Sequence, residues 1–215
     1  KQSELGEIPE DWEVVDIGAI AKKVGSGKTP KGGASVYVER GIPLVRSQNV
    51  GWGRLILNDI AYIRAETHET FLGSELRYGD VLLNITGASI GRCSVANNDV
   101  VNGNVNQHVC VIRISLKQFE PQIIASLILS EVGQNQIDSF QAGGNREGLN
   151  FAQVKLLKFP VTTNKNEQSA IAAVLSDMNQ EIEELEQRLD KTKKLKQGMM
   201  QELLTGKIRL VADTA

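Results

Sequence analysis

From Ile171 onward the sequence places apolar residues at Leu175, Met178, Ile182, Leu185 and Leu189, in steps of four, three, four, three and four. That alternation holds one stripe of a helix toward a second helix, and it excludes a strand, whose side chains change face at every residue. Asn164, with Glu167 three residues later, supplies an N-cap and a capping-box acid directly ahead of the periodic segment. Thr192 continues the register, which then slips toward Leu195, Met199 and Leu203, and Gly206 gives a stop signal after Leu204. A helix from Glu167 to Leu204 would run roughly 57 Å at about 1.5 Å per residue. Such periodicity most often marks an amphipathic helix folded against its own domain. Length argues against that here, because a globule of about 160 residues is only some 30–40 Å across, so part of the seam meets another helix. Ile171, Leu175, Met178, Ile182, Leu185 and Leu189 are therefore the candidate helix-pairing residues. The outer face carries Glu181, Glu183, Glu184 and Glu186 first and Lys191, Lys193, Lys194 and Lys196 last, the order that the helix dipole favours, on what is mostly a solvated surface.

The remaining chain divides into a domain over residues 1–162, the helix over 163–206 and a tail over 207–215. Hydrophobic residues make up 41% of the sequence, enough for one folded core. Short strand-like runs separated by glycine and asparagine clusters, with a few helical stretches, give residues 1–160 a mixed character. Val81–Ile85 and Val109–Ile114 are the clearest strands. Phe119–Asn135 has near-helical spacing with Gly133 near its end, and Asn150–Leu157 opens with a short helical turn. No apolar run approaches bilayer length and the Lys1–Trp12 segment is polar and acidic, so a cytoplasmic location is expected. The start at Lys1 rather than at a methionine reads as a processed or trimmed N-terminus. Cys93 and Cys110 lie within apolar segments and read as buried hydrophobes rather than a disulfide framework or metal site.

Two motifs imitate catalytic sites. Gly25-Ser-Gly-Lys-Thr-Pro30 looks like the end of a phosphate-binding P-loop, but the first glycine of that motif would fall at Lys22, and Pro30 disfavours the helical conformation Thr29 would need. Gly87-Ala-Ser-Ile-Gly91 matches the nucleophile elbow that would make Ser89 a hydrolase nucleophile. The segment after it, Cys93–Val101, is β-prone where the elbow requires a helix, and His108 is the one histidine downstream. A serine-reactive fluorophosphonate probe is expected to leave the chain unlabelled. His68 and His108 are too isolated for a histidine-based metal site, and no cofactor loop of the Gly-x-Gly-x-x-Gly type is present. Neither a catalytic residue nor a metal site is expected.

A net charge of −2 gives no global attraction to polyanions, so any such binding must be local. Between Ile17 and Val38 the chain carries Lys22, Lys23, Lys28 and Lys31 without an acid. Polar and basic loops recur at Gly25–Gly33, Arg46–Asn49, Arg54, Thr86–Arg92, Asn102–His108 and Gly143–Arg146. Lysine and arginine neutralise phosphates, while Asn, Gln and Arg side chains read base edges in the major groove. Glycine and asparagine also build ordinary turns, so a coiled-coil adaptor whose head binds protein remains an alternative reading.

Several blocks together resemble one family: Leu5-Gly-Glu-Ile-Pro-Glu-Asp-Trp12, the Gly-Lys-Thr-Pro loop, Gly79-Asp-Val-Leu-Leu83 leading to Gly87–Gly91, and Asn106-Gln107. Leu149-Asn-Phe151, Lys158-Phe-Pro160, Glu167-Gln168 and the closing Leu195-Lys-Gln-Gly-Met-Met-Gln-Glu-Leu-Leu-Thr-Gly206 continue the same order. The chain is similar in these blocks to the specificity subunit of type I restriction-modification systems. The resemblance implies an α/β (α+β) target-recognition domain with an irregular, strand-rich core, followed by a long coiled-coil helix. It implies a non-catalytic subunit that binds one half of a bipartite double-stranded DNA target and directs methyltransferase and restriction subunits to it. S-adenosylmethionine, ATP and Mg would then belong to those partner subunits, with no cofactor on this chain. The usual specificity subunit has two recognition domains and two long helices, and this sequence has one of each. It is either a fragment or a half-length protein that forms an antiparallel homodimer and so reads a palindromic, interrupted site. The candidate DNA-facing residues are Lys28, Thr29, Arg46, Gln48, Asn49, Arg54, Ser89, Arg92, Asn145 and Arg146.

Overall fold

A computed structural model describes residues 1–142 and 148–211, with the backbone alone at 33 and 34. The chain separates into two units, Lys1–Ala172 and Ala173–Ala215. Within the first unit the elements run β1 (Gln2–Ser3), β2 (Gly6–Glu7), β3 (Trp12–Asp16), α1 (Ile17–Ile20), β4 (Ala21–Ser26), β5 (Tyr37–Val38), β6 (Ile42–Val45) and β7 (Ala61–Ile63). They continue with α2 (Ala65–Glu69), β8 (Val81–Asn84), β9 (Cys93–Val95), β10 (Asn104–Val105), β11 (Val109–Ile114), α3 (Pro121–Leu129), α4 (Glu131–Gln141), α5 (Phe151–Lys155) and β12 (Lys158–Thr162). The long helix α6 is Lys165–Leu203.

The central sheet has the order β4-β11-β8-β9, with antiparallel neighbours throughout. A second sheet, β10-β6-β7-β5, packs beside it, and β12 pairs with β3 to join the N-terminal segment to the end of the domain. Val81 and Leu83 of β8 and Cys110, Ile112 and Ile114 of β11 face a core completed by Ile124, Ile128, Ile137, Val154 and Phe159 from the helices and β12. Leu82, Val109 and Val111 face the other way, onto Val45, Val50 and Val105. Burial on both faces is why these two strands read in the sequence as continuous apolar runs rather than as alternating ones.

Cys93 and Cys110 are free thiols inside this core, as the sequence reading expected. Burial pushes the Cys110 thiol up to about 12 and raises Cys93 further. Since the thiolate is the reactive form, neither cysteine should react with Ellman's reagent at pH 8 in the native protein, and both should react once urea unfolds it. A stoichiometric native reaction would show that this core opens.

The stretch 119–135 is two helices rather than one. Ser130 adopts φ −67 and ψ 164, ends α3 and caps α4, its hydroxyl accepting from the Gly133 amide at 3.4 Å. Gly133 therefore opens the second helix instead of closing a single one. A β-carbon there would lie 2.3 Å from the Ile128 carbonyl oxygen, so the tight turn between the helices requires glycine. The helical turn expected after Asn150 is α5, opened by a reciprocal capping box between Asn150 and Gln153.

At the start of α6, Asn164 Oδ1 accepts from the amides of Asn166 and Glu167 at 3.0 and 3.4 Å. The Glu167 carboxylate reaches back through an intermediary: Thr162 Oγ1 donates to Glu167 at 2.6 Å and accepts the Asn164 amide at 3.1 Å. Gln168 is buried, with 1% of its surface exposed. Its amide donates to the carbonyls of Gln118 and Thr162 and accepts from the Glu120 amide at 2.8 Å. These bonds, with the ion pair of Lys165 and Glu120 at 2.9 Å, tie the first turn of α6 to the rest of the first unit, Lys1–Ala172.

The second unit is the rest of α6 and the segment after it. Val174, Met178, Ile182, Leu185 and Leu189 are each more than half exposed in the single chain, and Leu175 is partly covered. Ile171 falls in the first unit and is half-buried. Gly206, at φ +71, donates to the Leu203 carbonyl and ends the helix where the sequence placed its stop.

Candidate nucleic-acid interface

Strand register decides where the polar loops meet. Ser26 at the end of β4 pairs with Cys110, near the start of β11, and Asn84 at the end of β8 pairs with Val109. Val45 at the end of β6 pairs with Val105 at the end of β10, and Cys93 opens β9 beside Leu83. The segments after β4, after β6, between β8 and β9, and between β10 and β11 consequently leave the same edge of the structure. Thr86 forms a bridge with Gly148, which brings the chain following residues 143–147 to this edge as well. Asn145 and Arg146 themselves lie outside the described residues.

Backbone contacts hold these loops against each other. The Gly27 amide donates to the Asn106 carbonyl at 3.2 Å, and a β-carbon on Gly27 would sit 1.7 Å from the Val105 carbonyl oxygen, so the loops approach more closely than any other residue permits. Buried Asn84 donates to the Ser47 carbonyl at 2.8 Å, and the Gly53 amide donates to the Cys93 carbonyl at 2.9 Å. The loop after β6 is thereby fastened to the turn between β8 and β9.

Lys28 and Thr29 are exposed on extended chain that enters no helix at Thr29, consistent with the rejection of a P-loop. The Thr29 hydroxyl donates to Gln107 Oε1, Gln107 Nε2 meets His108 Nε2 at 3.1 Å, and His108 Nδ1 meets Thr86 Oγ1 at 2.5 Å. The Gln107 amide donating to Nε2 places the imidazole hydrogen on Nδ1, which donates to Thr86. A chain of side-chain hydrogen bonds thus crosses three loops. Ser89 lies in a 3-10 turn and its hydroxyl makes no hydrogen bond with His108, so the pair has no catalytic geometry. Gly87–Gly91 is a glycine-bounded turn between β8 and β9.

Arg46 Nη2 donates to the Asp59 carbonyl at 2.8 Å and to its carboxylate at 3.2 Å, and the guanidinium stacks over Tyr37 at 5.9 Å. Its Nε is buried without a hydrogen-bond partner among the described residues. Gln48 Nε2 donates to the same Asp59 carboxylate at 2.6 Å. Asn49 does not belong with the surface candidates. It is 1% exposed, accepts the Arg46 amide at 3.0 Å and donates to the carbonyls of Ile56 and Asp59, so it shapes the loop from inside. Arg54 is exposed, and Ser89 and Arg92 are half-buried on the turn after β8.

Sequence reasoning missed three contributors. Asp59, 82% exposed, orients two candidate readers, and its position thirteen residues beyond Arg46 carries no motif. Gln107, inside the polar Asn102–His108 loop but not among the candidate DNA-facing residues, joins Thr29 to His108. Trp52 is 58% exposed between Gly51 and Gly53, and an exposed indole on a basic loop was detectable as Gly-Trp-Gly. The described residues of these loops include the basic side chains of Lys28, Lys31, Arg46, Arg54 and Arg92 and one carboxylate, Asp59. Among the described residues no group of three or more His, Cys, Asp or Glu could hold a metal, and no helix is long and apolar enough to cross a membrane.

The first unit is strand-rich, gathers basic and amide side chains on one edge and is followed in the chain by a long helix, and comparison with known proteins gives its family. The chain belongs to the type I restriction modification DNA specificity domain family, whose family profile matches residues 9–196. It is 26% identical over 213 residues to the type I restriction enzyme MjaVIII specificity subunit of Methanocaldococcus jannaschii, an alignment covering 98% of this chain and 49% of that protein. The fold is similar to a chain solved in work on complex assembly and conformational transition of the type I R-M system, with a TM-score of 0.63, 18% identity, and coverage of 92% and 46% of the two chains. The S subunit of a type I restriction-modification system from M. genitalium matches with a TM-score of 0.58, 16% identity, and 92% and 47% coverage. The chain spans about half the length of the curated relatives it matches.

Proposed function

We propose that the first unit reads one half of a bipartite double-stranded DNA target, with the edge bearing Lys28, Thr29, Arg46, Gln48, Arg54, Ser89 and Arg92 set against the duplex. The convergence of these loops on one edge supports the reading, because scattered loops would not share a groove. Trp52 adds a surface for stacking, and Lys28 and Arg92 are suited to phosphate contacts. Two copies pair through the Met178–Leu189 seam, antiparallel, so that each recognition domain takes one half-site. Methyltransferase and restriction subunits, with their S-adenosylmethionine, ATP and Mg, perform the chemistry, and this chain directs them without catalysing a step.

Selection from a random duplex library by the purified chain tests the proposal. An interrupted palindrome is the expected consensus; the absence of any duplex preference, with methyltransferase partner present, would favour a protein-binding adaptor. Lys28→Ala and Arg92→Ala should each weaken binding and reduce the slope of log affinity against log salt by about one. An unchanged slope in either variant would remove that residue from the interface.

A further inference from the structure

The edge of the central sheet opposite the loops carries a second concentration of positive charge that DNA reading does not use. Ala21 at the start of β4 pairs with Ile114 at the end of β11, and Val81 at the start of β8 pairs with Ile112. Lys22, the segment 77–80 and the segment 113–117 therefore lie together, and they enclose a cleft of about 260 Å³. β11 has six residues, so this cleft stands about 20 Å from the reading loops at roughly 3.4 Å per residue.

Its lining carries one carboxylate, Asp80, against the cations Lys22, Arg77, Arg113 and Lys117. The Asp80 carboxylate is buried and fully engaged: Arg113 Nε and Nη2 each donate to it at 2.7 Å, and the Arg77 amide donates at 2.8 Å. Glu75 lies 3.7 Å from His68 Nε2. Lys22, Arg77 and Lys117 are left as exposed cations on the rim. Burial, and next the Arg113 guanidinium, hold the neighbouring Lys23 ammonium below the ordinary lysine range, with Arg77 adding to the effect. Beside the cations stand two uncovered apolar groups, Tyr78 at 61% and Leu116 at 48% exposure. A phosphate backbone would satisfy the charges and leave Tyr78 and Leu116 wet, whereas an acidic peptide with a large apolar side chain satisfies both.

We propose that this cleft is a docking site for an acidic peptide segment of a partner protein, which places one aromatic or aliphatic side chain between Tyr78 and Leu116 and carboxylates against Lys22, Arg77 and Lys117. The site is separate from the reading edge and stands independently of what that edge binds.

The test uses the full chain and a fluorescein-labelled heptapeptide with a phenylalanine between acidic residues, followed by fluorescence anisotropy. Binding should weaken by about ten-fold or more in Lys22→Glu/Arg77→Glu/Lys117→Glu, and again in Tyr78→Ala. Replacing the peptide's phenylalanine with serine should have a comparable effect. Gel-shift affinity for duplex DNA reports the other edge and should stay within about two-fold in Tyr78→Ala. Equal binding by wild type and both variants, no binding up to millimolar peptide, or indifference to the phenylalanine would each overturn the proposal. Competitive displacement of the peptide by duplex DNA, lost in the triple variant, would overturn it in favour of a nucleic-acid site. Circular dichroism confirms folding, and Tyr78→Phe, which should keep full peptide affinity, separates loss of the ring from loss of structure.

Discussion

If two copies pair as proposed, Ile182→Asp/Leu185→Asp is expected to separate them into monomers without unfolding the first unit. Both side chains are more than half exposed in the single chain, 52% and 56%, and both belong to the second unit. In an antiparallel pair each substitution occurs twice. Withdrawing an apolar side chain from such a seam costs about 1.5–3 kcal/mol, and placing a carboxylate there adds desolvation, so the pair should weaken by at least about 4 kcal/mol, roughly a thousand-fold. The helix already has acids at Glu181, Glu183, Glu184 and Glu186, and two more bring further repulsion at low salt. Sedimentation velocity reads the change directly. Affinity for an interrupted palindrome should fall far more than affinity for a single half-site, since tethering supplies the difference. A wild-type chain that sediments as a strict monomer, or a variant that remains paired, would refute the self-pairing model.

Asp80→Ala should produce the largest loss of stability from any single charged side chain in the domain. The carboxylate is 1% exposed, takes two charge-assisted bonds from Arg113, and accepts the Arg77 amide. Truncating it leaves a largely buried guanidinium without a counter-charge, a change that costs about 3–5 kcal/mol. Arg113→Met should cost a similar amount by stranding the carboxylate. The double variant should be less damaged than the sum, because each single change includes the cost of orphaning the other group. Urea denaturation followed by tryptophan fluorescence suits the measurement, since Trp12 and Trp52 both belong to the first unit. A loss below about 1 kcal/mol in Asp80→Ala would mean that water or a neighbour replaces the carboxylate.

The elements that were legible in the sequence are those governed by short-range rules. Helix α6 follows from apolar spacing and from Asn164 and Gly206, and β8 and β11 follow from runs too apolar to be one-sided. Local rules misled where one residue serves two elements. Ser130 ends α3 and caps α4 within an uninterrupted helical pattern, so its double role was invisible until Gly133 was seen against the Ile128 carbonyl. The candidate interface was legible as residue types but not as an arrangement. Gln48 and Asn49 are adjacent amides of the same chemistry, yet one donates to the exposed Asp59 carboxylate and the other is enclosed, which depends on how the 46–59 loop closes. The link from Thr29 to Gln107 spans 78 positions and arises from strand register alone.

The distance between the Asp80–Arg113 pair and the loops also bears on how such a domain acquires new targets. The groups that fix the sheet lie at one end of β8 and β11, and Lys28, Gln48, Arg54 and Arg92 lie at the other. Substitutions at exposed positions remote from a core or a buried network usually change stability by less than about 0.5 kcal/mol. Exposed loop residues such as Lys28 can therefore be exchanged through folded intermediates, and selection for solubility or expression would leave such positions unconstrained. Asn49, Asn84 and Gly27 are the exceptions, and they mark where a graft of foreign loops should stop.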